Sequence, residues 1–287
     1  MLDELACEIM SVVARLYSMT PTIKSVELPN QVTLPYVEQG DVSGIPMLLL
    51  HGVTDSWHSY EPVLSHLPES VHAFALTQRG HGDASRPATG YRFCDFASDL
   101  AALMDALEIE SAVVVGHSMG SSVAQRFAID FPERTLGLVL VGSFATLRGN
   151  PGVRELWDSA IATLTDPVDP GFVREFQQST LAQPVPQAFF EEVVTESLKV
   201  PARVWRAAFE GFLEDDFSGE LNKIKAPTLI VWGGQDAFCP LSDQERLEGE
   251  IRGSRLVVYE GAGHALHWEQ PERFAADLKA FTENLIR

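Results

Sequence analysis

Ala112-Val113-Val114-Val115-Gly116-His117-Ser118-Met119-Gly120-Ser121 is the stretch on which the fold turns. Its first four residues are small or β-branched and read as a buried strand, while apolar residues from Ser121 to Phe131 return at helical spacing. Between them lies Gly116-His117-Ser118-Met119-Gly120, a G-x-S-x-G pattern with a strand before it and a helix after it. In that context the serine occupies a strained turn that lifts its hydroxyl above the sheet. Glycine on both sides removes side chains that would collide there. The bland alternative is a glycine-rich strand-to-helix turn with an incidental serine, and the context on both sides weighs against it.

Outward from this turn the chain alternates strand and helix. Lys24 to Gln39 reads as two extended stretches around Pro29-Asn30, and Met47 to His51 and Val71 to Leu76 as buried strands. Asp95 to Leu107 has helical periodicity, and Gly137 to Gly142, Thr228 to Gly233 and Leu256 to Glu260 are further strands. Pro271 to Ile286 closes the chain as a helix, with proline in its first turn where the missing N–H costs nothing. Alternating βαβ units predict a mostly parallel sheet flanked by helices. The alternation breaks over 146–216, where apolar positions fall at helical spacing between Pro and Gly punctuation. An insertion of that length is too long for a plain loop, and it predicts a helical cap over the carboxyl ends of the strands, where ligands bind in open α/β sheets. The expected organisation is a helical extension over 1–20, a core formed by 21–145 and 217–287, and the cap over 146–216.

A serine hydroxyl needs an imidazole to take its proton. His264 is the best candidate, because Gly261-Ala262-Gly263-His264 follows the last strand in a flexible loop. His267 is its rival, nearer the closing helix and without the glycine setting. His117 adjoins Ser118, but a sharp turn throws neighbouring side chains apart, so it reads as structural. His51, His58, His66, His72 and His81 precede the nucleophile, whereas a strand-turn-helix serine of this kind takes its base from after the acid. The base in turn needs a carboxylate to hold its tautomer, a contribution of ~10⁴-fold in model proteases. Asp236 supplies one, directly after the strand Thr228 to Trp232, and completes the order Ser, Asp, His. Asp243 and Glu245 read as solvated residues of the next helix. The backbone N–H groups of Met119 and of Val53, which follows His51-Gly52, are the candidate donors for a developing oxyanion. Arg79-Gly80-His81-Gly82-Asp83 reads as a structural turn.

Bulk properties narrow the partners. A net charge of −19 over 287 residues repels phosphate backbones and leaves nucleic acid a poor partner. Cys7, Cys94 and Cys239 lack the paired spacing of a disulfide framework or a zinc site, so no metal and a reducing cytoplasm are expected. No apolar run approaches the ~18 residues of a membrane span. Met1 to Met19 carries Asp3, Glu4 and Glu8 where an export signal carries basic residues, and Leu2, Leu5, Ile9, Val12 and Leu16 recur there at helical spacing.

Taken together, His51-Gly52, Arg79-Gly80-His81-Gly82, Gly116 to Gly120, Pro227 to Asp236 and Gly263-His264 fall in an order and spacing that resemble the α/β-hydrolase superfamily from about Ser25 to Ile286. Similar single-chain members include carboxylesterases, lactonases, cofactor-free haloperoxidases and hydrolases of carbon–carbon bonds in ring-fission products. The resemblance implies that no cofactor is needed. Relatives that attack with an aspartate, the haloalkane dehalogenases and epoxide hydrolases, are set aside because Ser118 stands at that position. Carbon–carbon hydrolases share the Gly-x-Ser-Met-Gly pattern and an aromatic at Trp268, but the residue after the histidine, often Trp there, is Ala265. A non-catalytic ligand-sensing receptor is the reading from another class. Ester or lactone hydrolysis leads, with a small, neutral and mainly hydrophobic substrate, because 146–216 is crowded with aromatics and has no basic cluster. Trp157, Phe176, Phe190, Trp205 and Phe209 are the expected substrate contacts. A homodimer is compatible with the chain.

Overall fold

Eight strands form one sheet in the order β1-β2-β4-β3-β5-β6-β7-β8 in the computed structural model, which describes residues 22–285. The strands are β1 (Ile23–Glu27), β2 (Thr33–Gln39), β3 (Ile45–Leu50), β4 (Val71–Leu76), β5 (Ala112–His117), β6 (Thr135–Val141), β7 (Thr228–Gly233) and β8 (Ser254–Tyr259). Only β2 runs against its neighbours; β4, β3, β5, β6, β7 and β8 pair in parallel. The central strands read as unbroken apolar runs because both of their faces are covered. Within β5, Val114 packs into the hydrophobic layer on one side of the sheet while Val113 and Val115 enter the layer on the other. Leu48 and Leu50 of β3 divide from Met47 and Leu49 in the same way. This is the mostly parallel α/β sheet that the alternation of elements implied.

Strand order reverses between β3 and β5, and loops at the carboxyl ends of these two strands diverge there to leave a crevice. Helix α1 (Met119–Asp130) leaves the crevice directly from β5. Residues between β6 and β7 fold into helices α2 (Pro151–Ser159), α3 (Pro170–Ser179), α4 (Gln187–Leu198) and α5 (Ala202–Glu214). Side-chain caps start the first two. Asn150 accepts from the Gly152 and Val153 amides and Asp169 from the Phe172 amide, and a proline follows each cap at the first helical position. The helical reading of residues 1–20 lies outside the described residues. Among the described residues no helix is long and apolar enough to cross a membrane.

Candidate active site

Ser118 sits at the junction of β5 and α1 with φ 51° and ψ −114°, a left-handed backbone that a serine rarely adopts. The turn is pinned from both directions: the Ser118 amide donates to the Val141 carbonyl at 3.0 Å, and the Ser118 carbonyl accepts from the Ser121 amide at 2.9 Å. Two glycines make room for it. A Cβ on Gly116 would lie 2.1 Å from the Gly120 carbonyl oxygen, and one on Gly120 would lie 2.3 Å from that of Leu50. Such strain persists only where the surroundings over-determine it.

His264 follows β8, and its Nδ1 lies 2.8 Å from Asp236 Oδ2. Asp236 is held in place by its other oxygen, which accepts from the Phe238 amide at 2.8 Å and the Cys239 amide at 3.0 Å. An Nδ1–H donated to this carboxylate leaves the His264 Nε2 lone pair free to accept a proton. Ser118 and His264 line one cavity of about 70 Å³, together with Val53. Neither the Val53 amide nor the Met119 amide donates to another group among the described residues. Both are therefore free for an oxygen placed beside Ser118.

Three further histidines are otherwise engaged. His267 is fully buried, its Nε2 lies 3.1 Å from Ser59 Oγ, and burial drives its pKa down to about 3. His117 donates from Nε2 to the His264 carbonyl at 3.1 Å, and burial holds its pKa well below the ordinary value, so it is neutral. His51 bridges its own loop, Nδ1 to the Gly52 carbonyl and Nε2 to the Gln78 amide. Arg79 is buried in a pair with Asp99, which accounts for the Arg79-Gly80-His81-Gly82 turn.

The cavity wall is apolar for most of its area. Of the aromatics expected there, Phe176 and Phe209 line it, whereas Trp157, Phe190 and Trp205 do not. Trp205 is fully buried and packs between Phe172, Phe176 and Phe209, and Phe190 carries the Arg174 guanidinium over its ring. Phe144, Leu147, Val153, Leu156, Phe212, Phe238 and Trp268 also form the apolar wall. Phe238, two residues past Asp236, is the one that adjacency in sequence could have brought to notice. Asp55 and Gln177 also line the cavity and had no local signal. Gln177 Nε2 donates to Asp55 Oδ1 at 3.0 Å, and burial raises the Asp55 carboxyl to about 7. Among the described residues no lysine or arginine lines the cavity.

Asp236, Cys239 and His264 stand close enough to share a cation. Their donor set does not favour one: both Asp236 oxygens are already occupied, and burial pushes the Cys239 thiol well up, away from the thiolate that binds metal. His58, Glu192 and Glu196 form a second such group, but Glu196 is paired with Lys199.

A parallel sheet with a strained serine at its switch point, and a His–Asp pair on loops beyond it, defines an α/β hydrolase by architecture. The sequence profile of the α/β hydrolase fold family matches residues 45–271, and the chain belongs to that family. A non-heme chloroperoxidase of Streptomyces lividans is 28% identical over 271 residues, covering 87% of this chain and 95% of its own. A pimeloyl-[acyl-carrier protein] methyl ester esterase of Neisseria meningitidis serogroup B is 30% identical over 247 residues, covering 83% of this chain and 93% of its own. Among solved structures, a thermophilic esterase from Thermogutta terrifontis superposes with a TM-score of 0.80 at 25% identity, over 92% of this chain and 99% of that one.

Proposed function

We propose that the protein is a serine hydrolase that cleaves a carboxylic ester or lactone of a small, mainly apolar substrate through an acyl-enzyme on Ser118. The observation that carries this reading is the cavity shared by strained Ser118, His264 and Val53, with His264 paired at 2.8 Å to the enclosed Asp236 carboxylate and the Val53 and Met119 amides unengaged. In the proposed mechanism His264 Nε2 takes the Ser118 proton as Oγ attacks the carbonyl carbon. The Val53 and Met119 amides hold the oxyanion, each worth ~10²- to 10³-fold in rate. The His264 imidazolium returns the proton to the departing alcohol, and water repeats the sequence on the acyl-enzyme.

Substrate size and charge follow from the wall. A cavity of about 70 Å³ is about half of the engineered ~150 Å³ cavity that admits benzene, which favours a short acyl group. An acidic head group finds no cation among the described residues that line the cavity, which tells against the carboxylate-bearing substrates of carbon–carbon hydrolases. In this reading 146–216 acts as a cap that closes the apolar side.

A perhydrolase is a second reading, supported by the chloroperoxidase relative. There hydrogen peroxide replaces water in attacking the acyl-enzyme, giving a peracid and regenerating Ser118. The test is turnover of chromogenic acetyl and butyryl esters, its loss on treatment with a serine-directed phosphonate, and peracid yield from acetate and peroxide. Absence of turnover and of phosphonate labelling would reject the enzyme reading in favour of a ligand-binding role.

A further inference from the structure

The inserted helices do more than cover the cavity. Thr54 follows Val53 and has φ 70°, a left-handed conformation that is a genuine outlier for a β-branched residue. Its hydroxyl is fully buried and reaches two groups on the inserted helices: Gln177 Nε2 of α3 at 3.2 Å and Ser197 Oγ of α4 at 3.3 Å. Gln177 Nε2 also donates to Ser197 Oγ at 2.7 Å and to Asp55 Oδ1 at 3.0 Å, and Ser197 Oγ donates in turn to the Val193 carbonyl at 2.9 Å. All four side chains are shut off from water, Thr54 and Ser197 at 0%, Gln177 at 1% and Asp55 at 4% exposure. Thr54 and Ser197 do not line the cavity either, so a partner lost to them is not made good there, and leaving such groups unsatisfied is costly.

The same stretch of chain also holds the opposite side of the site. The Thr180 carbonyl accepts from the Ala265 amide at 3.1 Å, next to His264. Glu269 bridges the Gly263 amide at 2.9 Å to the Ala182 amide at 2.6 Å. From Gln177 to Ala182 the chain is thus fastened to the loop bearing Val53 and to the loop bearing His264.

We infer that Gln177 is a positioning residue for the oxyanion site: by docking on Thr54 and Asp55 from α3 it holds the strained loop that aims the Val53 amide beside Ser118. This rests on the assignment of Ser118 and Val53 above. If the inserted helices moved away, Thr54 would lose both hydroxyl partners, and its positive φ would rest on the single 3.3 Å bond from the Asp55 amide to the Gly52 carbonyl that closes the turn. Closure of the apolar pocket and completion of the oxyanion site are then one event.

The test compares wild type, Gln177→Met, Ser197→Ala and the double variant Gln177→Met with Thr54→Gly. Glycine adopts positive φ without penalty and carries no hydroxyl to leave unpaired. The readouts are kcat and KM on an acetyl ester, and affinity for methylboronic acid, whose tetrahedral adduct on Ser118 places an oxygen in the oxyanion site. Gln177→Met should lower kcat and boronate affinity together by up to ~10²-fold, the scale of one oxyanion donor, with KM changed less than about threefold. Ser197→Ala should move both in the same direction, and it carries the test if Gln177→Met does not fold. Thr54→Gly should restore at least about tenfold of the loss in the double variant, a rescue that a merely structural role would not produce. Boronate affinity held within about threefold of wild type in the single variants, or a rise in KM at constant kcat, would overturn the inference. Full activity in Ser118→Ala would instead bring down the serine-hydrolase reading, and this inference with it.

Discussion

Replacing Asp55 by Asn should change how stability depends on pH. The carboxyl is 4% exposed and accepts from Gln177 Nε2, and burial lifts its pKa from 3.8 to about 7 against the opposing pull of Gln177, His264 and the Gly52 backbone. His264, His117 and Cys239 are the titratable neighbours lining the same cavity, Tyr60 feels the Asp55 charge from the adjoining turn, and no lysine or arginine lines the cavity among the described residues. The folded pKa is raised above the unfolded one, so between about pH 4 and 7 the folded chain keeps a proton that the unfolded chain has lost. The stabilisation is complete below about pH 4 and is lost as pH rises through 7. A rise from 3.8 to about 7, at ~1.4 kcal/mol per unit, makes the charged acid cost on the order of 4 kcal/mol of folding stability above pH 7. Asparagine stays neutral throughout and keeps an oxygen for Gln177. Urea unfolding from pH 4 to 8 should show the variant gaining on wild type by about that amount as pH rises. Parallel stability curves, or wild type gaining on the variant, would refute the reasoning.

Ser118→Ala and His264→Ala should each lower kcat by ~10⁶-fold, a scale set by subtilisin, and Asp236→Asn by ~10⁴-fold, because its geometry survives while the His264 tautomer is lost. Ester turnover checks this, and a loss at Asp243→Asn with none at Asp236→Asn would reassign the acid. Phe209→Ala, at the cavity wall, should alter KM and acyl-length preference, whereas Trp205→Ala, fully buried among aromatics, should cost about 3 to 5 kcal/mol in unfolding experiments. Arg79→Met should cost about 3 to 5 kcal/mol, because it leaves the Asp99 carboxylate buried without its cation; an unfolding midpoint equal to wild type would show that Asp99 finds another partner.

What could be read from sequence, and what could not, divides along how local the cause is. The central strands announced themselves because a strand covered on both faces has to be apolar, as Leu229–Trp232 is within a β7 buried at every position. The turn at Ser118 was legible for a similar reason. Only glycine fits where a Cβ would lie 2.1 Å from a carbonyl oxygen, so the backbone requirement is written in the residues themselves. The meeting of Asp236 with His264 followed from their places just after two adjacent parallel strands. Helical spacing over 146–216 foretold helices there, but it marks only an apolar stripe. Trp205 and Phe209 are one turn apart on the same stripe of α5, yet only Phe209 reaches the cavity. Which residue does so depends on what packs opposite, a fact that no period contains.

Asp55 is the extreme case. In sequence it is a polar residue in a loop, where solvation is the default expectation. Its burial comes from Gln177, 122 positions away, whose amide supplies a partner inside the protein. A carboxyl held that way cannot be moved, charged or exposed without disturbing both the loop that carries Val53 and the helix that carries Gln177. The polar groups least visible in the sequence are therefore the ones through which the inserted helices and the Ser118 cavity are joined.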